Sequence, residues 1–168
     1  MIILKVLIFG LIILICSKLG IMKAKNYDNR VIELKKVKSS LEVLRSKIEF
    51  TYEPIKDIFC EISNIVYKND NNIFQKSLEN IDSVGVYNSW NNAVEENIYL
   101  NNEDKETIKM FGKLLGKTDK LGQINEINVT SKLLDIQIEK AENEKNKNFK
   151  LFKSLGLISG IGICIILL

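Results

Sequence analysis

The chain has 168 residues, enough for one modest domain with appendages. Its 24 basic and 21 acidic side chains leave a net charge of only +3, which argues against a nucleic-acid partner. No His is present, which removes the commonest general base and metal ligand, and three scattered cysteines define no disulfide framework.

The first 22 residues, MIILKVLIFGLIILICSKLGIM, are apolar apart from Lys5 and Lys18. As a helix they measure about 33 Å, enough to cross a hydrocarbon core. Lys5 lies near one end, from which its stem can snorkel to the headgroups. A cleaved signal peptide would need a small-residue site, and none follows. Ile15, directly before Cys16, is too large for a lipoprotein cleavage site. An uncleaved anchor over 1–22 is the expectation.

Residues 23–153 hold 22 basic against 21 acidic side chains, a solvated surface without a dominant sign. Within them, Tyr27, Val31, Leu34, Leu41, Leu44 and Ile48 recur at helical spacing and predict a long first helix. Pro54 predicts its end and the first turn of a second helix, striped by Ile55, Ile58, Phe59, Ile62 and Val66. KNDNN at 68–72 reads as a turn. A short helix bearing Ile73, Phe74, Leu78 and Ile81 should follow, then another marked by Trp90, Val94 and Ile98. A cap at Asn102 or a neighbour opens a helix with Ile108, Phe111, Leu114 and Leu115, closed by a left-handed Gly116. Thr118 or Asp119 caps the last helix, whose stripe is Leu121, Ile124, Ile127, Leu134, Ile138 and Ala141. It runs on through the polar stretch EKAENEKNKN toward the C-terminus, with the first helix antiparallel beside it. No β-alternation of useful length occurs, so the fold class is all-α, an antiparallel helical bundle whose long first and last helices continue into membrane segments.

The last 15 residues, 154–168, carry no charged side chain. Alone they are short for a span, but Lys150 and Lys153 can snorkel and bring Phe149, Leu151 and Phe152 into the interface. Lys18, Lys23, Lys25 and Arg30 flank the inner end of the first segment, and Lys145, Lys147, Lys150 and Lys153 that of the second. The positive-inside rule then places 23–153 in the cytoplasm. Gly156 and Gly160 form a small-xxx-small pattern suited to helix packing in lipid.

Several motifs imitate sites. GKLLGKT at 112–118 has three residues between Gly112 and Gly116 where a phosphate loop needs four, and it joins helix to helix. DNN at 70–72 lacks the glycine and the final acid of a calcium loop. NVT at 128–130 falls within a predicted helix. The acid pairs Glu95/Glu96 and Asp104/Glu106 read as solvated faces. The expectation is a protein without catalytic residues, metal or cofactor.

The order of these elements resembles the stage III sporulation protein AB family of endospore-forming Firmicutes. The likeness is carried by Phe111, Gly112, Leu115, Gly116 and Asp119, by the closing stretch from Lys153 to Leu168, and by Leu41, Leu44, Ile48, Phe50, Pro54 and Ile55. It departs at two positions, where the family's acid before the Ile is Lys47 and its Thr before the Pro is Glu53. The resemblance implies a cytoplasmic helical domain similar to the F component of type II secretion and type IV pilus machines. It further implies a platform in the mother-cell membrane around the forespore, touching the bilayer, other membrane subunits of a sporulation channel and a secretion-type ATPase. Phe111, Gly112, Gly116 and Asp119 are candidates for partner contact. The alternative is a membrane-tethered adaptor for one soluble partner, and self-association stays open.

Overall fold

The computed structural model describes the chain except residues 1, 52, 69–71, 114, 116–117 and 168, and the side chains of 2–6. The expectations placed on Gly116, Leu114, Asp70, Asn71 and the side chain of Lys5 lie outside the described residues. Five helices follow one another: α1 (Ile2–Phe50), α2 (Ile55–Tyr67), α3 (Ile73–Glu95), α4 (Asn102–Gly112) and α5 (Lys120–Ile166). No strand occurs among the described residues, and the fold is all-α with long first and last helices.

The chain divides into two compact units, one of Met1–Val31 with Glu139–Leu168 and one of Ile32–Ile138. Helices α1 and α5 contribute to both.

In the Ile32–Ile138 unit, local chemistry sets each helix boundary. Pro54 has extended backbone (ψ 145°) and stands at the N-cap of α2, one position before the first turn that the sequence suggested. Tyr67 closes α2, and Lys68 turns left-handed with φ 53°. Asn72 then caps α3 by accepting from the amides of Phe74 and Gln75 at 3.0 and 3.1 Å. Its amide nitrogen donates to Ser63 Oγ at 2.8 Å, tying the end of α2 to the start of α3. Gly85 interrupts α3 with φ 81° and ψ 163°, a conformation closed to other residues, so the two short helices expected here meet at a break. Asn101, adjacent to the expected Asn102, forms a capping box with Asp104. Asp119 caps α5, accepting from the Gly122 amide at 2.9 Å.

The core of this unit joins Leu34, Val37, Leu41 and Leu44 of α1 to Ile58, Phe59 and Ile62 of α2 and to Ile127 and Leu134 of α5. Each large apolar side chain fully withdrawn from water contributes about 1.5–3 kcal/mol. At its centre Trp90 lies 5.5 Å from Phe59, 5.2 Å from Phe74 and 5.6 Å from Phe111, ring centre to ring centre. Its indole N–H donates to the Ile108 carbonyl at 3.0 Å, so the polar edge is satisfied where water is absent. α1 and α5 run antiparallel here: Lys38 pairs with Asp135, Ser131 donates to Glu42, and Lys120 donates to the Glu49 carbonyl.

Two expectations fail at the edges of the helices. Ile98 lies beyond the end of α3 and is 85% exposed, because Glu96 already closes that helix. Leu121 is 75% exposed in the first turn of α5, off the buried face. That face is Ile127, Thr130, Leu134, Gln137 and Ala141, a three-four repeat whose alternate members are polar. The two departures from the family pattern, Lys47 and Glu53, meet each other at 3.4 Å, with Glu61 completing the group at 2.6 Å from Lys47. Of the acids read as solvated faces, Glu95, Glu96 and Glu106 are in surface pairs with Lys109, Lys76 and Lys109, but Asp104 is buried, because it closes the capping box at Asn101.

Candidate functional site

In the unit formed by Met1–Val31 and Glu139–Leu168, the two helices lie side by side. Phe9 accepts from Cys164 Sγ at 3.6 Å, Tyr27 stacks on Phe152 at 5.8 Å, Asp28 pairs with Lys145 and Arg30 with Glu144, both at 2.7 Å. The partners step in opposite directions, so this too is an antiparallel pair. Its seam is built from glycine. A Cβ placed on Gly156 would lie 2.8 Å from the Cys16 carbonyl oxygen and 2.9 Å from Gly20 Cα. One placed on Gly160 would lie 3.0 Å from Ile13 Cα. Two backbones at this separation leave no room for a side chain, which is how small residues hold helices together where lipid removes the hydrophobic drive. Away from the seam, Leu7, Leu11, Leu14, Ile158, Ile161 and Ile165 point outward and are exposed. Both α1 and α5 are long and apolar enough to cross a membrane.

The residues singled out for partner contact have different surroundings. Phe111 is buried against Trp90, and Gly112 is buried beside the same ring, so near that a Cβ there would lie 2.4 Å from Trp90 Cδ1. Asp119 is exposed, with its carboxylate engaged as the α5 cap. Of these three, only Asp119 reaches the surface, whereas Phe111 and Gly112 serve the packing around Trp90.

A polar cluster inside the Ile32–Ile138 unit escaped the sequence reading. Glu33 on α1 is 7% exposed and accepts from Asn97 Nδ2 at 2.9 Å. The same Asn97 accepts through Oδ1 from the amides of Tyr99 and Leu100, at 3.0 and 3.3 Å. One side chain thus shapes the loop between α3 and α4 and fastens it to α1. Burial raises the Glu33 carboxyl above its ordinary 4.5, opposed by the Asn97 bond and by Lys36. Burial also pushes the Tyr67 phenol well above 10, the Glu33 charge adding to it. Beside this anchor lies a cavity of about 240 Å³ lined by Ile73, Lys76, Ala93, Ile98 and Tyr99 among others. Hydropathy patterns carry no sign of a buried acid held by a loop amide 64 residues away.

The sign of the Glu33 shift gives a test. A carboxyl raised on folding favours the folded state below its unfolded value, and that contribution is lost as pH rises through the folded value. Glu33→Gln keeps an acceptor for Asn97 without the charge. Its stability relative to the parent should therefore grow as pH is raised from about 4.5 through the raised value and then level off. Glu33→Ala, which orphans Asn97, should cost about 1–3 kcal/mol. Urea unfolding followed by circular dichroism between pH 4 and 8 checks both, and a Glu33→Gln variant less stable than the parent at pH 8 contradicts the account.

Comparison with known proteins adds a lineage to this geometry. Residues 5–168 match the family described as stage III sporulation protein AB. The chain is 23% identical over 154 residues to stage III sporulation protein AB of Bacillus subtilis (strain 168), covering 89% of this chain and 90% of that protein. No solved structure matches. With the family pattern running over nearly the whole length, the chain belongs to the stage III sporulation protein AB family, and its role is in sporulation.

Proposed function

We propose that the protein is a non-enzymatic membrane platform of a secretion-like complex between mother cell and forespore. Residues 1–22 and 154–168 anchor it in the mother-cell membrane that surrounds the forespore, and residues 23–153 stand in the cytoplasm. There they dock a secretion-type ATPase and neighbouring membrane subunits. The observation that carries this reading is the pairing of two apolar helices with a basic inner collar of Lys18, Lys23, Lys25, Lys145, Lys147, Lys150 and Lys153. Basic residues close to the span ends set orientation, and they are in excess on the cytoplasmic side.

For the docking surface, the loop between α3 and α4 supports the reading best. Ile98 is almost fully exposed and Tyr99 is exposed beside it, on a loop that Asn97 fixes from below. Exposed apolar side chains on a braced loop favour a partner over solvent. Asp119 offers a second contact. Ile98→Asp should abolish co-purification of the ATPase from sporulating cells while leaving thermal unfolding within about 0.5 kcal/mol of the parent. Asp119→Asn, which keeps an equivalent cap, should weaken it.

Orientation is tested by a single cysteine at the exposed Asn143, with Cys16, Cys60 and Cys164 replaced. An impermeant maleimide should leave Asn143→Cys untouched in intact mother cells and label it after permeabilisation. Labelling in intact cells, with the reagent shown to stay outside, would place this region across the membrane and end the platform reading.

A further inference from the structure

Along one flank of the glycine seam, side chains of α1 and α5 frame an open groove of about 430 Å³, within the size range of small-molecule sites. Ser17 and Ile21 supply one wall; Lys150, Lys153, Ser154 and Leu157 supply the other. The lining is mixed, with Ile21 level with Lys153 on the antiparallel pair and Ser17 level with Leu157. Ile21 and Leu157 present hydrocarbon, whereas Lys150 and Lys153 immediately precede the uncharged stretch that begins at Ser154. On α5 these residues recur at three, four and seven positions and share one face.

The lysines are available. Among the described residues, Lys145 is held by Asp28 and Arg30 by Glu144, but Lys150 and Lys153 have no ion pair. Two ammonium groups without a counter-charge, beside the hydrocarbon of Ile21 and Leu157, suit an amphipathic anion. Its head must carry net negative charge, as the phosphate of an acidic phospholipid does, and its tail must be hydrocarbon.

We infer that this groove is a binding site for an anionic phospholipid, whose phosphate is held by Lys150 and Lys153 with an acyl chain lying against Ile21 and Leu157. The inference rests on the reading of the two helices as membrane spans. The glycine seam makes the site possible, since backbones in contact at Gly20 and Gly156 leave the larger neighbours to form the groove walls. A bound lipid would also cover both helices at once and bias the chain toward membrane regions rich in anionic headgroups.

The test uses the full chain in nanodiscs of equal parts phosphatidylglycerol and phosphatidylethanolamine, released for native mass spectrometry. Phosphatidylglycerol should be retained in preference, and Lys150→Gln or Lys153→Gln should each lower that preference about fivefold, the factor expected for one lysine at an anionic surface. Lys147→Gln, which is exposed and outside the groove, should leave it unchanged. Leu157→Trp fills the groove and should remove retained lipid of both kinds. Millimolar glycerol phosphate, the headgroup without its chain, should not displace the bound lipid.

Equal retention of the two lipids in the parent overturns the proposal, as does an effect of Lys147→Gln matching those in the groove. Displacement by glycerol phosphate would make the headgroup alone the ligand and overturn it too. A lipid-free dimer would put a second copy of the chain in the groove, with the same consequence. A chain that fails to enter the nanodisc overturns both the site and the membrane reading, whereas one that enters without lipid preference overturns the site alone.

Discussion

Replacing Trp90 by alanine is expected to cost about 3–5 kcal/mol, the usual penalty for deleting a buried aromatic ring. That is a large part of the roughly 5–15 kcal/mol by which domains are stable. Phe59, Phe74 and Phe111, from three different helices, each lose their common neighbour, and the Ile108 carbonyl loses the indole N–H. Trp90→Phe separates the two contributions: most of the ring remains, the hydrogen bond does not, and the cost should fall to about 1–3 kcal/mol. Gly112→Ala attacks the same contact from the other side, since its Cβ would lie 2.4 Å from the indole and the ring, enclosed by three phenylalanines, cannot turn away. Overpacking of this kind costs about 1–3 kcal/mol. Trp90 is the sole tryptophan, so its fluorescence reports the change directly in urea titrations of the full chain. An unfolding midpoint of Gly112→Ala equal to the parent's would mean that α3 and α4 do not approach as described.

The same residues show what the sequence could and could not disclose. Helical spacing found Leu34, Leu41, Leu44, Ile58, Phe59, Ile62, Ile127 and Leu134, because burying one face of a helix is written directly into its apolar residues. Turn chemistry found the breaks at Pro54, Asn101 and Asp119 to within a residue. Periodicity failed where polar side chains took interior places. Ser40, Thr130 and Gln137 are buried on the long helices, and Ser40 is satisfied by its own helix through the Lys36 carbonyl. No pattern of apolar residues marks such positions. It failed again at Ile98, whose spacing continues that of Trp90 and Val94 although Glu96 ends the helix. The mutual pairing of Lys47 and Glu53 lay beyond it as well. Each residue alone departs from the family pattern, and only the fold around Pro54 shows the two charges meeting. For Phe111, Gly112 and Asp119, the sequence could supply the helix end and the cap but not which side chains face inward. A buried phenylalanine and an exposed aspartate eight positions apart look equally available until Trp90 is in place.

Gly160→Cys should form a disulfide with the native Cys16 under mild oxidation, within one chain. The Cβ that the substitution adds lies 3.2 Å from Cys16 Cβ, and disulfides span about 3.5–4.5 Å between these atoms, so a shift of a few tenths of an ångström suffices. The oxidised variant should bind maleimide at two sites in place of four, leaving Cys60 and Cys164 to react after denaturation. Gly162→Cys is the control, because nothing lies within 4 Å of its Cβ, and its thiol should stay reactive. Adding Gly156→Ile should abolish the cross-link. Its branched side chain would meet the Cys16 carbonyl and the Gly20 backbone, which no rotamer can relieve, so the helices must part. A disulfide between two chains in place of one within a chain would show that the glycine seam joins copies of the protein. The two apolar segments would then pair in trans, and the groove beside the seam would draw its walls from two molecules.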